Sequence, residues 1–414
     1  MTTTAADLAC PPPAAPGIPT ELPSPPAAGF LAVLTAAYRR AGLPNVAHLD
    51  ISYRCDLDCV HCYLDNKTTW PELNPTEFSA LLHQLHDCGV LWLRWSGGEV
   101  FQRPDFLDQL RLAARLGFRN RVKTHGGNVT AERAAVLATC SVDRVDVSVY
   151  SLHAEIHDKF VRRPGALAAT LAGIAHLRAA GLVVRVSTTL QPGTIAEVPA
   201  LHAYFTALGC MTQFSTDIFR DHSASDALDD LQLSPAERAQ AIALVRRVTG
   251  EPDVAPAALD TKLDRDPCSA GRTLVYIAPD GGVWPCVNFP MALGNVRDKP
   301  LREIWQASPE RQALLAWTNR ERTDCHGCGG SGFCFYCPGE AYKMTGDFRK
   351  APATFHARTR ARMAAFEDAT SQALGAAVWS STPEGGGPVK PPTRFAFPIY
   401  RPRKGGGARV LGGS

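Results

Sequence analysis

The feature that most constrains the fold is a sixfold alternation of short apolar segments with longer amphipathic ones, which begins at Val46. The short segments fit strands and the longer ones have the period of helices. Repeated strand–helix units require a parallel sheet with right-handed crossovers. Six units are too few to close a full barrel, so an open partial (β/α)6 TIM-like barrel and a doubly wound sheet are the α/β candidates, and we favour the partial barrel. The predicted strands are 46–52, 91–95, 119–124, 144–149, 182–188 and 211–216, and the predicted helices lie near 75–88, 104–117, 130–140, 164–180, 195–208 and 234–249.

Composition changes on both sides of this pattern. The first residues are rich in proline and alanine, which disfavours regular hydrogen-bonded structure. After Gly250, cysteine, glycine and proline replace the helical pattern, and Asp280-Gly281-Gly282 has the pattern of a hairpin turn. The expected organisation is a flexible leader at 1–28, the barrel region at 29–250 with its core at 46–217, a small cysteine-rich domain at 260–345, a helix at 352–375, and a disordered basic tail at 376–414.

Charge and hydropathy exclude several classes of partner. The formal net charge is only +3, which does not indicate nucleic-acid binding. The chain starts without a secretion signal and has no apolar run long enough to span a membrane, so we expect a cytoplasmic protein that does not bind membranes. Thirteen cysteines in a reducing compartment are not expected to form disulfides. Metal or cluster binding is therefore the leading explanation for them.

The most specific motif is a C-x-x-x-C-x-x-C sequence directly after the first predicted strand, formed by Cys55, Cys59 and Cys62. Three thiolates can hold three irons of a 4Fe-4S cluster and leave the fourth iron open to another ligand. A zinc site completed by His61, or buried structural thiols, are the alternatives.

The cysteine motif, its position after the first strand, and the turn Ser96-Gly97-Gly98-Glu99 after the second strand resemble the radical S-adenosylmethionine (radical SAM) superfamily. The resemblance implies that the amino and carboxylate groups of SAM chelate the open iron. It also implies that the turn binds the SAM amino group, with Glu99 as an anionic acceptor and the glycines allowing a close backbone approach.

Further polar residues follow the other predicted strands, at the edge where ligand sites of parallel α/β folds gather. Each would also fit an ordinary turn or helix cap. We expect Thr124, His125, Asn128, Ser148 and Thr188 to contribute to cofactor binding. Asp217 and Tyr150 are the candidate acid–base residues for the substrate because they should face the cavity mouth.

A second cysteine group resembles the SPASM domain, which carries auxiliary 4Fe-4S clusters in many peptide- and protein-modifying radical SAM enzymes. The group consists of Cys268, Cys286, Cys325, Cys328, Cys334 and Cys337. The family pattern assigns Cys268, Cys286 and Cys337 to one cluster and the other three to a second, so one or two auxiliary clusters are expected. The chain departs from the family because only two residues separate the last two clustered cysteines, and because no cysteine follows Cys337.

Several alternatives stay open for the auxiliary site. Asp347 or His356 could complete the second cluster, or one iron could stay open to substrate. A zinc ribbon on Cys325, Cys328, Cys334 and Cys337 is the structural alternative, although its five-residue spacing is short. The scattered Cys88, Cys140 and Cys210 are interpreted as small buried hydrophobes, and Cys10 lies in the leader.

The resemblance implies reductive cleavage of SAM to a 5′-deoxyadenosyl radical and oxidation of a substrate, with auxiliary clusters able to take back an electron. Our first choice of substrate is a ribosomally made precursor peptide that receives a C–C or C–S cross-link. Residues 1–45 are too short for a leader-recognition domain, so a separate recognition protein is expected, together with an electron donor such as flavodoxin or ferredoxin. The basic tail could dock an acidic leader, although an inert tail is the simpler interpretation.

Two other kinds of function remain. Within enzymes, the alternatives are oxidation of a protein side chain, as in sulfatase maturation, and a step in quinone or haem cofactor synthesis. Outside enzymes, the cysteines could serve a non-catalytic metal-binding sensor.

Overall fold

The computed structural model describes residues 29–64, 71–222, 228–251, 266–322, 325 and 328–375. The expected flexible leader and disordered tail, together with Cys10, lie outside these residues. Within the described ranges, no helix has the length and apolar character needed to cross a membrane.

The barrel region contains all six predicted strands and all six predicted helices. The strands are β1 (Val46–Asp50), β2 (Trp92–Ser96), β3 (Arg119–Thr124), β4 (Val142–Ser148), β5 (Val184–Thr189) and β6 (Met211–Ser215). The helices are α1 (Phe30–Ala41), α2 (Pro75–Asp87), α3 (Phe106–Arg115), α4 (Ala131–Thr139), α5 (Ala154–Val161), α6 (Ala166–Ala179), α7 (Val198–Ala207) and α8 (Pro235–Thr249). The sequence did not predict α5, which follows β4.

The sheet order distinguishes between the two candidate architectures. Strands β1 to β6 are hydrogen-bonded neighbours in sequence order, and every pair is parallel. A doubly wound sheet would reverse its strand order at a switch point. The unreversed order is that of a barrel wall, and β6 is an outer strand of the sheet. The predicted partial barrel is therefore confirmed.

The cysteine-rich region extends the same sheet. Its strands are β7 (Leu274–Ile277), β8 (Gly282–Trp284) and β9 (Gly294–Asn295), and its helices are α9 (Leu301–Ala307), α10 (Pro309–Leu315), α11 (Pro338–Thr345) and α12 (Ala353–Gly375). The hairpin signal at Asp280 is confirmed, since β7 and β8 pair antiparallel. The sequence did not predict that β7 also pairs parallel with β1, starting at Val46 and Leu274.

The two faces of the barrel strands differ in chemistry. One face carries apolar residues such as Leu93, Val145 and Val186, which belong to the main core that the helices cover. The alternate residues carry charged and hydroxyl groups and line a cavity on the other face. The main sheet is therefore stabilised from its helix-covered side, while its inner side is available for ligands.

Candidate cofactor site

A cavity of about 740 Å³ lies inside the barrel wall. This volume is within the usual range for ligand sites, about 300–1,000 Å³. The cavity is lined by these predicted site residues: Cys55, Cys59, Cys62, Ser96, Gly97, Gly98, Thr124, His125, Ser148, Tyr150, Thr188 and Asp217. The cysteine motif and the polar strand ends thus lie around one space.

The cysteine loop packs directly on the glycine turn. The Gly98 amide donates to the Ser52 carbonyl at 2.8 Å, and the Glu99 amide donates to the Arg54 carbonyl at 2.9 Å. A Cβ atom on Gly97 would lie 2.2 Å from the Ser52 oxygen, and one on Gly98 would lie 2.2 Å from the Arg54 oxygen. The glycines are therefore required by the protein's own backbone contact, whatever they also do for a ligand.

The carboxylate of Glu99 has partners different from those expected. Glu99 is fully buried and is not among the residues that line the cavity. Its oxygens accept hydrogen bonds from the Thr124 hydroxyl at 2.8 Å, from the His125 amide at 3.0 Å and from the Phe101 amide at 3.2 Å. These donors fix Glu99 between the turn and the end of β3, and its predicted contact with the SAM amino group stays a prediction.

His125 connects the turn to the cysteine loop. Its Nε2 atom lies 2.9 Å from Asp56 Oδ1 and 3.3 Å from Glu99 Oε2. Asn128 Nδ2 donates to the same Asp56 oxygen at 3.0 Å, and Arg163 contacts the other Asp56 oxygen. The hydrogen bond from His125 is the main reason that the pKa of Asp56 is far below its ordinary value.

This network gives His125 and Asn128 a role in positioning the cysteine loop, and their predicted contribution to cofactor binding stays a prediction. Both hold Asp56, which is adjacent to Cys55, and Asn128 is not among the cavity-lining residues. Sequence reasoning missed Asp56 and Arg163. The sequence signals for this contact are weak. They are the acidic residues within the cysteine motif and the arginine pair that follows α5.

Aromatic rings form a wall beside the cysteines. The ring of His61 lies 4.7 Å from that of Phe160 and 4.9 Å from that of Tyr150, centroid to centroid. Burial, followed by the nearby Cys59 thiol, raises the pKa of Tyr150 well above its ordinary value. Tyr150 is thus part of this aromatic wall, and its predicted acid–base role stays a prediction.

Asp217 is held by arginines. It lines the cavity, but its carboxylate lies 2.5 Å from Arg238 Nη1, 2.9 Å from Arg362 Nη2 and 3.5 Å from Arg358 Nε. Three guanidinium groups therefore surround this carboxylate. These ion pairs tie the end of β6 to α8 and α12, and the predicted acid–base role of Asp217 stays a prediction.

Three of the auxiliary cysteines lie close together. Burial raises the pKa of the Cys286 thiol to about 12, and the neighbouring Cys268 and Cys337 thiols contribute to the shift. Asn288 Nδ2 donates to Cys337 Sγ at 3.2 Å. Cys268, Cys286 and Cys337 are the three cysteines that the family pattern assigns to one auxiliary cluster.

The other auxiliary cysteines lie around a short loop. Cys325 Sγ accepts a long hydrogen bond of 3.6 Å from Arg322 Nη2, and the Cys328 amide donates to the Cys325 carbonyl. Cys325 and Cys334 both lie near the Tyr336 hydroxyl, since each contributes to its raised pKa after the larger effect of burial.

The two proposed replacement ligands differ in their surroundings. The Asp347 carboxylate accepts from the Arg349 backbone amide and from its guanidinium, at 3.0 and 2.9 Å. Both of these contacts are with Asp347 Oδ1, and the guanidinium reaches Oδ2 at 3.3 Å. His356 is exposed on α12.

The scattered cysteines are buried. Cys88 and Cys140 belong to the main core with exposed fractions of 5% and 2%, and Cys210 is also part of that core. Burial raises the pKa of Cys88 and Cys210, which keeps both as thiols. They act as small apolar side chains.

The donor set fits an iron–sulfur cluster with an open iron. Cys55, Cys59 and Cys62 line one cavity beside the glycine turn, and the ring of His61 is packed between two aromatic rings. The motif supplies three thiol ligands, which leaves one iron of a 4Fe-4S cluster open to a further ligand. The cavity above them provides the space for that ligand.

Comparison with known families agrees with this geometry. Residues 49–199 match the radical SAM superfamily, and residues 268–329 match the SPASM iron–sulfur cluster-binding domain. The chain belongs to the radical SAM superfamily and carries a C-terminal SPASM domain. Its cofactors are a 4Fe-4S cluster, S-adenosylmethionine and the auxiliary iron–sulfur centre of the SPASM domain.

Particular relatives fall into more than one functional group. The chain is 29% identical to the PqqA peptide cyclase of Streptomyces rochei, over 74% of this chain and 87% of that protein. It is 26% identical to the AdoMet-dependent heme synthase of Methanosarcina barkeri, over 74% of this chain and 94% of that protein. The structure resembles Streptococcus suis SuiB bound to its precursor peptide SuiA, with a TM-score of 0.56, 15% identity, and coverage of 72% of this chain and 74% of SuiB.

The glycine contact can be tested by Gly98→Ala. The added Cβ would meet the Arg54 carbonyl oxygen at 2.2 Å, so the cysteine loop must move away from the turn. We expect the variant to lose about four irons per chain, the content of one cluster, after anaerobic reconstitution. Gly29→Ala is the control, since nothing lies within 4 Å of its Cβ position. Full iron content in Gly98→Ala would contradict the role given to this contact.

The role of Asp217 can be tested by Asp217→Asn. Loss of the charge leaves three arginines without their shared anion, so the free energy of unfolding in urea should fall by about 2 kcal/mol. Asp108→Asn is the control, because its ion pair with Arg111 is exposed and should change stability by less than about 1 kcal/mol. Unchanged stability of Asp217→Asn would argue against the anchoring role.

Proposed function

We propose that this protein is a peptide maturase, which cleaves S-adenosylmethionine reductively and oxidises a ribosomally made precursor peptide to form a C–C or C–S cross-link. The observation that carries the proposal is the cavity shared by the three cysteine thiols and the glycine turn. When bound, the cluster and SAM supply a 5′-deoxyadenosyl radical that removes a hydrogen atom from the substrate.

The chain's own residues position and protect this chemistry. Gly97 and Gly98 fix the cysteine loop against the turn, and Asp56 joins that loop to His125. The rings of Tyr150 and Phe160 cover one side of the cysteines and exclude water from them. For the SAM contacts we retain the predicted residues that line this cavity, together with two that lie beside it. The lining residues are Ser96, Gly97, Gly98, Thr124, His125, Ser148 and Thr188, and the other two are Glu99 and Asn128.

Two observations favour a peptide substrate. The PqqA peptide cyclase and SuiB, which is named with its precursor peptide, both align with most of this chain. The outer position of β6 leaves the barrel wall without a further strand on that side in the described part of the sheet, which suits a long substrate that cannot be enclosed.

Haem synthesis is the second candidate. The observation that favours it is the alignment with 94% of the Methanosarcina barkeri heme synthase. A short open reading frame beside the gene would favour the peptide substrate, whereas haem-pathway genes in that position would favour this second candidate.

The partners and the location are part of the same proposal. The auxiliary centre would accept an electron from the substrate, and a flavodoxin or ferredoxin would reduce the SAM-binding cluster. A separate protein would recognise the leader of the precursor peptide. Such clusters and free thiols are best preserved in the reducing cytoplasm, which is where we expect the enzyme to act.

The radical function predicts a specific product. After anaerobic reconstitution with iron and sulfide, the parent protein should form 5′-deoxyadenosine from SAM and dithionite. The triple variant Cys55→Ala, Cys59→Ala and Cys62→Ala should form none, because the thiol ligands of the SAM-binding cluster are gone. Liquid chromatography measures the product. A parent protein that carries its full iron content but yields no 5′-deoxyadenosine would instead favour the metal-binding sensor.

A further inference from the structure

The floor of the barrel cavity carries a row of basic residues. Strand pairing places His48 opposite Arg94, Arg94 opposite Arg121, and Arg121 opposite Arg144. All four line the cavity. Like charges directly opposite each other on neighbouring strands are destabilising. The folded chain therefore concentrates positive charge at this level of the barrel, below the predicted SAM contacts at the strand ends.

Acidic residues neutralise part of the row. A register shift in β4 brings Asp143 to Arg121, with a separation of 3.0 Å. Asp146 lies 2.9 Å from Arg144 and 2.8 Å from Arg185. Two carboxylates therefore form ion pairs with three arginines.

Two basic residues of the floor have no such partner. Within the part of the chain that the structure describes, neither Arg94 nor Lys123 forms a close ion pair. Lys123 lies opposite Asp146 in the sheet, and Asp146 and Cys286 act on Arg94 at longer range. Both line the cavity. Asp217, the remaining acid of the lining, is held by the arginines of α8 and α12. Asp146 already forms ion pairs with Arg144 and Arg185, so it offsets only part of the charge of Arg94 and Lys123.

The surroundings of Arg94 favour an anionic partner. Partial burial, and then the charge of Arg121, lower the pKa of Arg94 from its ordinary value, and the nearby Cys286 and Asp146 oppose part of this shift. Arg94 precedes Ser96 by two positions on β2, about 7 Å along the strand. A group bound by Arg94 would thus lie deeper in the barrel than the glycine turn and the cysteine loop.

We propose that the part of the substrate that enters the barrel carries a carboxylate, and that Arg94 and Lys123 bind it. This inference rests on the proposed function, since it names the chemistry of the peptide segment that reaches the cofactor. A guanidinium group binds a carboxylate through paired hydrogen bonds, and an ammonium group adds a point charge. An aspartate or glutamate side chain and a free peptide carboxyl terminus offer the same chemistry.

Binding of short peptides to the reconstituted holoenzyme tests the inference. Three rhodamine-labelled peptides are compared by anaerobic fluorescence anisotropy: a glutamate-rich peptide with an amidated end, its glutamine counterpart, and the glutamine peptide with a free carboxyl terminus. We expect at least one carboxylate peptide to bind about tenfold more tightly than the amidated glutamine peptide. Tighter binding of the glutamate-rich peptide would show that the site takes a side-chain carboxylate. Tighter binding of the glutamine peptide with a free end would show that it takes the carboxyl terminus. Equal binding of all three would overturn the inference.

Variants identify the residue that gives the preference. Arg94→Met should abolish it and Arg94→Lys should retain most of it, because lysine keeps the charge. Arg111→Met is the matched control: it removes the same charge from an exposed position on α3 and should leave the preference unchanged. Iron content and thermal unfolding check that each variant is folded. A full preference in folded Arg94→Met, or its loss in Arg111→Met, would contradict the assignment.

The binding measurement is independent of the radical reaction. A parent protein that selects carboxylate peptides but forms no 5′-deoxyadenosine would contradict the proposed function and leave the anion site standing. A parent protein that forms 5′-deoxyadenosine but binds all three peptides equally would contradict the anion site and leave the proposed function standing.

Discussion

The contact between the cysteine loop and the glycine turn is the constraint on which the site depends. Two backbone hydrogen bonds join the loop after β1 to the turn after β2, and side chains larger than glycine would push them apart. The parallel pairing of β1 with β2 sets the two loops beside each other. The buried Glu99 and the pair of His125 and Asp56 then fix the turn, the end of β3 and the cysteine loop in one arrangement.

The alternating faces of the strands extend this arrangement into a cavity. The apolar face of the barrel strands packs under the helices, and the polar face is left for cofactor and substrate. An inner face of arginines would be costly in a closed, dry barrel, because buried charges need partners. An open barrel tolerates them, because water can reach the charged groups. The surplus of cations makes the cavity floor positively charged. The fold thus combines a precise cluster loop at the mouth with an electrostatic preference on the floor.

Much of the fold was accessible from sequence because it depends on local patterns. The six strands, the six helices and the hairpin at Asp280 follow from periodicity and turn residues. The cysteine motif and the turn at Ser96 identify the family through their spacing. The pairing of β7 with β1 could not be predicted in this way, since it joins residues that are far apart in the chain.

The roles of individual site residues were harder to predict, because they also depend on contacts between residues that are far apart in the chain. A polar residue at a strand end has the same sequence signal whether it faces the cavity or another residue. Glu99 turned out to bind Thr124, and Asp217 turned out to bind three arginines from distant helices. The arginine row depends on strand register, because Arg94, Arg121 and Arg144 become neighbours only when three strands are aligned.

The most direct test of the central claim is an electron paramagnetic resonance spectrum of the dithionite-reduced protein, recorded with and without S-adenosylmethionine. If Cys55, Cys59 and Cys62 hold a cluster with an open iron beside the glycine turn, SAM will shift the g-values of that cluster's signal. The triple alanine variant of these cysteines will lack the shifting component and retain only auxiliary signals. Identical spectra with and without SAM, from a parent protein with full iron content, would contradict the account.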